Sequence, residues 1–204
     1  MPKSRNSSGQ RPTSLRSLAF AGAVLLAAAA PRALAQQPLP AQSVPAPAGD
    51  RVELTELQQV QKLMAAGQWK PALARADAHL ASNPRDAQMR FVRGVILSEL
   101  RDTAGARDVF ERLTEEYPEL PEPYNNLAVI HASQGQLERA RSLLEAALAI
   151  RPDYATAHEN LGDIYLQMSV DAYQRAARLQ PGDRNLGNKL SLSRELLSKT
   201  RSTP

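Results

Sequence analysis

Cysteine is absent from this chain of 204 residues, aromatic residues make up only 4% of it, and histidine occurs three times. Without cysteine there is no disulfide scaffold, thiolate metal site, cysteine nucleophile or cysteine-linked lipid anchor. His79, His131 and His158 are far apart, so no pair stands one helical turn apart as a two-histidine metal site requires. There is no glycine-rich phosphate loop and no Gly-x-Ser-x-Gly elbow. These absences point to a chain that is not an enzyme and needs no cofactor and no metal. Acid is missing from the first 35 residues, which hold Lys3, Arg5, Arg11, Arg16 and Arg32. The remainder carries 20 basic and 21 acidic residues. The pI of 9.6 is therefore a property of the N-terminal segment, and the balanced remainder argues against nucleic acid as a partner.

That segment has the layout of a secretory signal. A basic, polar start leads to an apolar stretch from Leu18 to Ala30, then Pro31, then Ala33-Leu34-Ala35 with small residues at both peptidase positions. The expected cut follows Ala35. A membrane span needs about 20 apolar residues, more than this stretch supplies, so no membrane association is expected after cleavage; an uncleaved anchor is the alternative. The expected location is periplasmic or secreted. Residues 36–49 carry Pro38, Pro40, Pro45 and Pro47 among Ala and Gln. Closely spaced prolines block helix and ladder alike, so this part reads as a flexible leader.

Residues 50–200 repeat. Pro84, Pro118 and Pro152 are spaced by 34, as are Ala72, Ala106 and Ala140, and the small residues Gly94, Ala128 and Gly162. Gly67 and Gly135 stand two such periods apart. Apolar residues recur at helical spacing within each period, with a capping pair expected at Asp50 and Glu53. Pairs of helices are predicted at about 53–66 and 71–80, 87–100 and 104–116, and 122–134 and 137–150. Gly67 ends the first as a left-handed cap, and a proline closes each unit. A single pair cannot bury its apolar face, so neighbours must stack.

These residues resemble the tetratricopeptide repeat (TPR) family. The third unit carries the motif most fully, with Tyr124, Leu127, Ala128, Gly135, Ala140, Ala147 and Pro152; Leu161, Gly162 and Tyr165 open a fourth. The second unit departs at Arg90 and Arg93, and the first at Gln59 and Val60. The resemblance implies an all-α fold, a right-handed α-solenoid of helix-turn-helix units at about 53–86, 87–120, 121–154 and 155–183, closed by a capping helix at 184–199. The cap's apolar side is read as Leu186, Leu190, Leu196 and Leu197.

The fourth unit is short. Pro152 to Pro181 spans 29 residues instead of 34, and no glycine or proline stands where its inner turn belongs. The apolar stripe continues through Leu161, Tyr165, Met168, Ala172, Ala176 and Leu179. One helix over 155–179 is predicted, with a tight turn at Ser169–Asp171 as the alternative. A fused helix would leave an apolar edge that a second copy could cover, so a homodimer is a possible assembly.

The resemblance further implies a groove lined by the first helix of each unit and holding a protein or peptide partner. By position its residues are Leu57, Met64, Phe91, Val95, Asn125, Asn126, Val129, Glu159, Asn160 and Asp163. Leu57 and its apolar companions have packing roles as the alternative, and the asparagines have local hydrogen bonding. His131 and His158 fall at helix-packing positions, and His79 late in a second helix. The positions at which one TPR subclass grips a C-terminal carboxylate carry Gln61, Asn125, Asn126, Glu159 and Asn160, with no cation among them. A ligand with a basic residue at the acidic end fits better. The functional reading is an exported adaptor in cell-envelope protein assembly, folding or regulation; a structural module that self-associates through the fourth unit and last helix is the alternative.

Overall fold

The computed structural model describes residues 54–200, with side chains through Lys199. The expected signal, the leader and the Asp50–Glu53 capping pair lie outside the described residues. Eight helices account for nearly all of the described chain: α1 Glu56–Ala65, α2 Trp69–Ser82, α3 Ala87–Glu99, α4 Thr103–Glu116, α5 Pro121–Ser133, α6 Leu137–Ile150, α7 Ala155–Leu179 and α8 Arg184–Thr200. No strand occurs among the described residues. The chain divides inside α4, between Val109 and Phe110, into two compact units.

Both ends of the hairpins follow from local chemistry. α1 opens on a capping box: the Thr55 hydroxyl accepts from the Gln58 amide at 3.2 Å, and the Gln58 side chain accepts from the Thr55 amide at 2.8 Å, satisfying two donors that a helix start leaves open. Pro84, Pro118, Pro152 and Pro181 each stand two residues beyond the last residue of a helix, where proline's missing N–H and fixed φ prevent continuation.

The turn inside each hairpin is equally regular. Gly67, Arg101 and Gly135 have φ of 68°, 63° and 75°, and they stand at the 34-residue interval. Each makes the same pair of hydrogen bonds. Gly67 N–H donates to Met64 O and Gln68 N–H to Leu63 O; Arg101 and Asp102 donate to Ser98 O and Leu97 O; Gly135 and Gln136 donate to Ala132 O and His131 O, all at 2.9–3.0 Å. These bonds close carbonyls that a helix end leaves open. Arginine holds a left-handed position at which a side chain costs about 1–2 kcal/mol.

In the first unit, Val60, Ala72, Ala76, Met89, Val92 and Ile96 form the core, with Leu57, Leu63, Met64, Trp69, Leu73 and Leu80 packed against it. Ala72 and Ala76 are wholly buried, and their short side chains let α2 lie close to both α1 and α3. Arg75 holds Glu56 with two bonds of 2.9 Å, and Arg93 reaches Asp77 at 2.6 Å. These pairs are exposed and contribute little to stability. Asp86 is better placed. Its Oδ1 accepts from the Met89 amide at 2.9 Å, capping α3, while Oδ2 lies 2.8 Å from His79 Nε2. Burial pushes the Asp86 carboxyl up, but the Met89 amide and His79 outweigh it and the net shift is downward.

In the second unit, Ala128, Ala140, Leu144, Ala147, Ala157 and Ile164 form a core against which Tyr124, Leu137, Leu161 and Met168 pack. α7 is a single helix of 25 residues, about 37 Å long at 1.5 Å per residue, as the unbroken apolar stripe predicts. Ser169, one period past Gly135, sits within it and donates its hydroxyl to Tyr165 O at 2.7 Å. α8 packs back on α7. Its inward residues are Leu186, Leu190, Ser193 and Leu197, while Leu192 and Leu196 are 60% and 46% exposed. This corrects the reading of the cap, which placed Leu196 on the packed side. Leu196 is about 100° around the helix from Leu197, and only the latter continues the stripe of Leu186 and Leu190.

Two outcomes follow. Arg101→Gly raises unfolding free energy by about 1 kcal/mol and Gly135→Ala lowers it by a similar amount, as read by urea denaturation. An added Cβ at Gly135 meets no atom within 4 Å, so the backbone angle alone carries the second effect. Asp86→Ala destabilises by about 1–2 kcal/mol at neutral pH. A carboxyl whose folded pKa is lowered stabilises above its unfolded value of about 3.9 and loses that contribution as pH falls through the folded value. The gap between wild type and Asp86→Ala therefore narrows below about pH 4.

Candidate functional site

The sequence-predicted groove residues fall on first helices of the hairpins, in both units. In the first unit, Leu57 and Met64 of α1 are half-buried and pack against the core that includes Met89, Val92 and Ile96 of α3. Phe91 and Val95 of α3 are half-buried as well. Leu57 and Met64 thus give part of their surface to the core, and all four side chains leave part accessible.

In the second unit, α5 and α7 lie side by side, and an amide pair joins them. Asn160 Nδ2 donates to Asn125 Oδ1 at 2.8 Å. Asn125 is buried, and so is Asn126, whose Nδ2 donates to Glu122 O one turn back at 2.9 Å. The Asn126 Oδ1 is buried without a hydrogen-bond partner. Both α5 asparagines are directed into the protein, the packing alternative that the repeat spacing left open. The bond to Asn160 spans 35 residues, one more than the repeat, which is the only trace it leaves in the sequence.

Val129 is half-buried on α5, Glu159 is exposed on α7 and Asp163 half-buried one turn beyond it. Burial raises the pKa of Asp163, and the Glu159 carboxylate raises it further. Neither acid is in an ion pair with a basic residue of the described chain. The α5–α7 face therefore offers two neighbouring carboxyls beside an amide bridge, an arrangement that a cation would relieve.

A second cluster ties α5 to the α6–α7 turn. Arg151 Nη1 donates to Glu122 Oε1 at 2.8 Å, and its guanidinium lies 3.9 Å from the centre of the Tyr154 ring. Burial, then Glu122, raises the Tyr154 pKa. This cluster is not legible in the sequence, because partners 29 residues apart show no helical periodicity. Histidines divide as follows. His131 is buried, with Nδ1 2.6 Å from Gln136 Oε1 and Nε2 unpartnered. His158 is exposed, 2.8 Å from Pro152 O, which corrects its assignment to a packing position. His79 joins Asp86. Among the described residues no group of His, Asp and Glu is arranged to hold a metal, and no helix is long and apolar enough to cross a membrane.

Comparison with known proteins agrees with this architecture. A family model described as "Tetratricopeptide repeat" matches residues 57–121, and one described as "TPR repeat" matches residues 129–169. The chain belongs to the tetratricopeptide repeat family, and its fold class is the all-α TPR solenoid. Similar solved structures include a thermophilic TPR protein of Thermus thermophilus, with 22% identity, 72% of this chain and 82% of that chain covered, and a TM-score of 0.53. The first TPR of Spaghetti (RPAP3), solved bound to the HSP90 peptide SRMEEVD, has 16% identity over 55% of this chain and 90% of that chain, with a TM-score of 0.52. The first TPR domain of human RPAP3 matches at 16% identity, covering 54% of this chain and 87% of that one, with a TM-score of 0.51. At these identities the likeness is one of fold.

Asn160→Ala leaves the Asn125 Oδ1 without its donor in a buried place. It costs about 1–3 kcal/mol in unfolding free energy, measured by urea denaturation, whereas Glu159→Gln on the exposed side of the same helix changes stability by less than about 0.5 kcal/mol.

Proposed function

We propose that this chain is an exported, non-enzymatic adaptor that holds a polypeptide partner against the first helices of its hairpins. Its setting would be cell-envelope protein assembly, folding or regulation. The observation that carries the reading is the pair Glu159 and Asp163, two carboxyls on α7 with no cation partner in the described chain and with Asp163 held above its ordinary pKa. A lysine or arginine of the ligand would neutralise this pair and recover the free energy lost in desolvating Asp163. The accessible parts of Leu57, Met64, Phe91 and Val95 supply apolar anchors, of the kind that dominate peptide affinity. Val129 and Asn160 adjoin the acidic pair. Asn125 and Asn126, being buried, serve by holding α5 in place and presenting α7.

Sign of charge sets the ligand apart from the peptide seen on the RPAP3 domain, SRMEEVD, which ends in acid. Here Gln61, Asn125, Asn126, Glu159 and Asn160 provide no cation for such a tail, and Glu159 and Asp163 would repel it. The basic, apolar first 35 residues favour export.

Display of random peptides against the purified chain tests the proposal. Sequences with Lys or Arg beside apolar residues are expected to be enriched, and Glu159→Lys/Asp163→Lys is expected to weaken their binding at least about tenfold with helicity unchanged. Enrichment of acidic C-terminal tails, or equal binding by the variant, would refute the reading. N-terminal sequencing of protein recovered from cells should begin at Gln36.

A further inference from the structure

We propose that a second copy of this chain docks the outer face of its α8 into the depression that the fused α7 leaves open. The depression lies in the second unit, about 660 Å³ in volume, between Gly135, Leu137 and Glu138 at the start of α6 and Tyr165, Met168 and Ala172 of α7. Its origin is the missing turn at Ser169. The stripe of Leu161, Tyr165, Met168, Ala172 and Leu179 runs along one side of α7 at steps of three, four or seven residues. Leu161 and Met168 pack on the core shared with α6. Beyond Met168 the helix continues, and Ala172 and Leu179 are exposed. Tyr165 is left 47% exposed and Leu179 83%. α8 cannot fill the place within one molecule, because it covers the opposite side of α7, where Val170 is buried and Lys189 Nζ stands 5.9 Å from the Tyr173 ring centre.

The occupant is identified by chemistry that the chain itself displays. Leu192, Leu196 and Lys199 form an outward stripe on α8 at four- and three-residue steps, with Leu192 and Leu196 the exposed leucines. A repeat array ordinarily ends in a polar outer face, and Leu192 and Leu196 interrupt the polar one here. The two leucines match the Tyr165, Met168 and Ala172 floor. Charge admits the contact: α8 carries Arg184, Lys189, Arg194 and Lys199 against Glu195 alone, whereas the depression is edged by Asp171, Arg175 and a Glu138 that Arg141 holds at 3.0 Å. Pairing α8 with α8 would set like charge against like, so the contact joins two different surfaces. Such a contact does not close at a dimer unless its rotation closes a ring. Two leucines in one depression bury much less than the roughly 1,600 Å² of a stable complex, so association is weak and concentration-dependent. It uses neither Glu159 nor Asp163 and stands independently of the polypeptide reading.

Sedimentation of the chain as purified from cells tests this. Weight-average mass is expected to rise at least about 1.5-fold between about 5 and about 300 µM at low salt. Leu192→Glu/Leu196→Glu and Ala172→Arg should each stay monomeric over that range, with unchanged helicity, because all three positions are exposed. Mixing the two variants should restore a one-to-one pair, since each retains the surface the other lacks. A wild type that remains monomeric at the highest concentration, variants that associate as wild type does, or a mixture that stays monomeric would overturn the proposal.

Discussion

Helices lie close together in this protein because alanine stands where they cross. Ala72, Ala76, Ala106, Ala140, Ala147 and Ala157 are all fully buried, and none has a side chain long enough to hold two backbones apart. The larger residues between them, Met89, Ile96, Phe110, Leu113 and Leu144, then fill the space that close approach leaves. An alanine-lined hairpin buries too little apolar area to stand alone, so every hairpin depends on the next. The period of the chain is the expression of that dependence.

The left-handed turn is the other half of the design, and its omission is informative. At Gly67, Arg101 and Gly135 the backbone reverses within two residues and the second helix returns. At Ser169 the hydroxyl bonds back to Tyr165 and the helix runs on. Nothing forces a stop before Pro181, and the reversal is delayed to residues 180–183. α8 then returns along the far part of α7. A unit five residues shorter than the others thus reverses later, after one long helix, and leaves part of an apolar stripe exposed.

On the α5–α7 face the amides are committed to packing and the neighbouring acids are not. Asn125 and Asn160 are both amides at first-helix positions, yet they satisfy one another. The charges beside them have no such partner. Transferring an acid part-way out of water raises its pKa, and a second acid one turn away adds to the effect. A cation would relieve that arrangement, so in the proposed function selectivity at this face would reside in charge sign, while the amide bridge joins the two helices.

Much of the fold was legible in the chain itself. Proline positions, the recurring alanines and the left-handed glycines are local requirements of backbone geometry, and they marked the helix ends to within a few residues. The fused helix was legible for the same reason: no residue between 155 and 179 ends a helix as a turn would require. The outward stripe of α8 was not read correctly, because its inward and outward positions both carry leucine and only contact with α7 decides which side is covered. The roles of Asn125 and Asn126 were likewise open, and His158 was placed on the wrong side, since the same side chain serves equally well facing a neighbour or facing water. Local sequence therefore determined where each helix begins, ends and turns, through φ preferences and capping that involve adjacent residues alone. Which polar and apolar groups remain available for a partner was decided by the tertiary structure, because burial depends on distant segments that periodicity does not align.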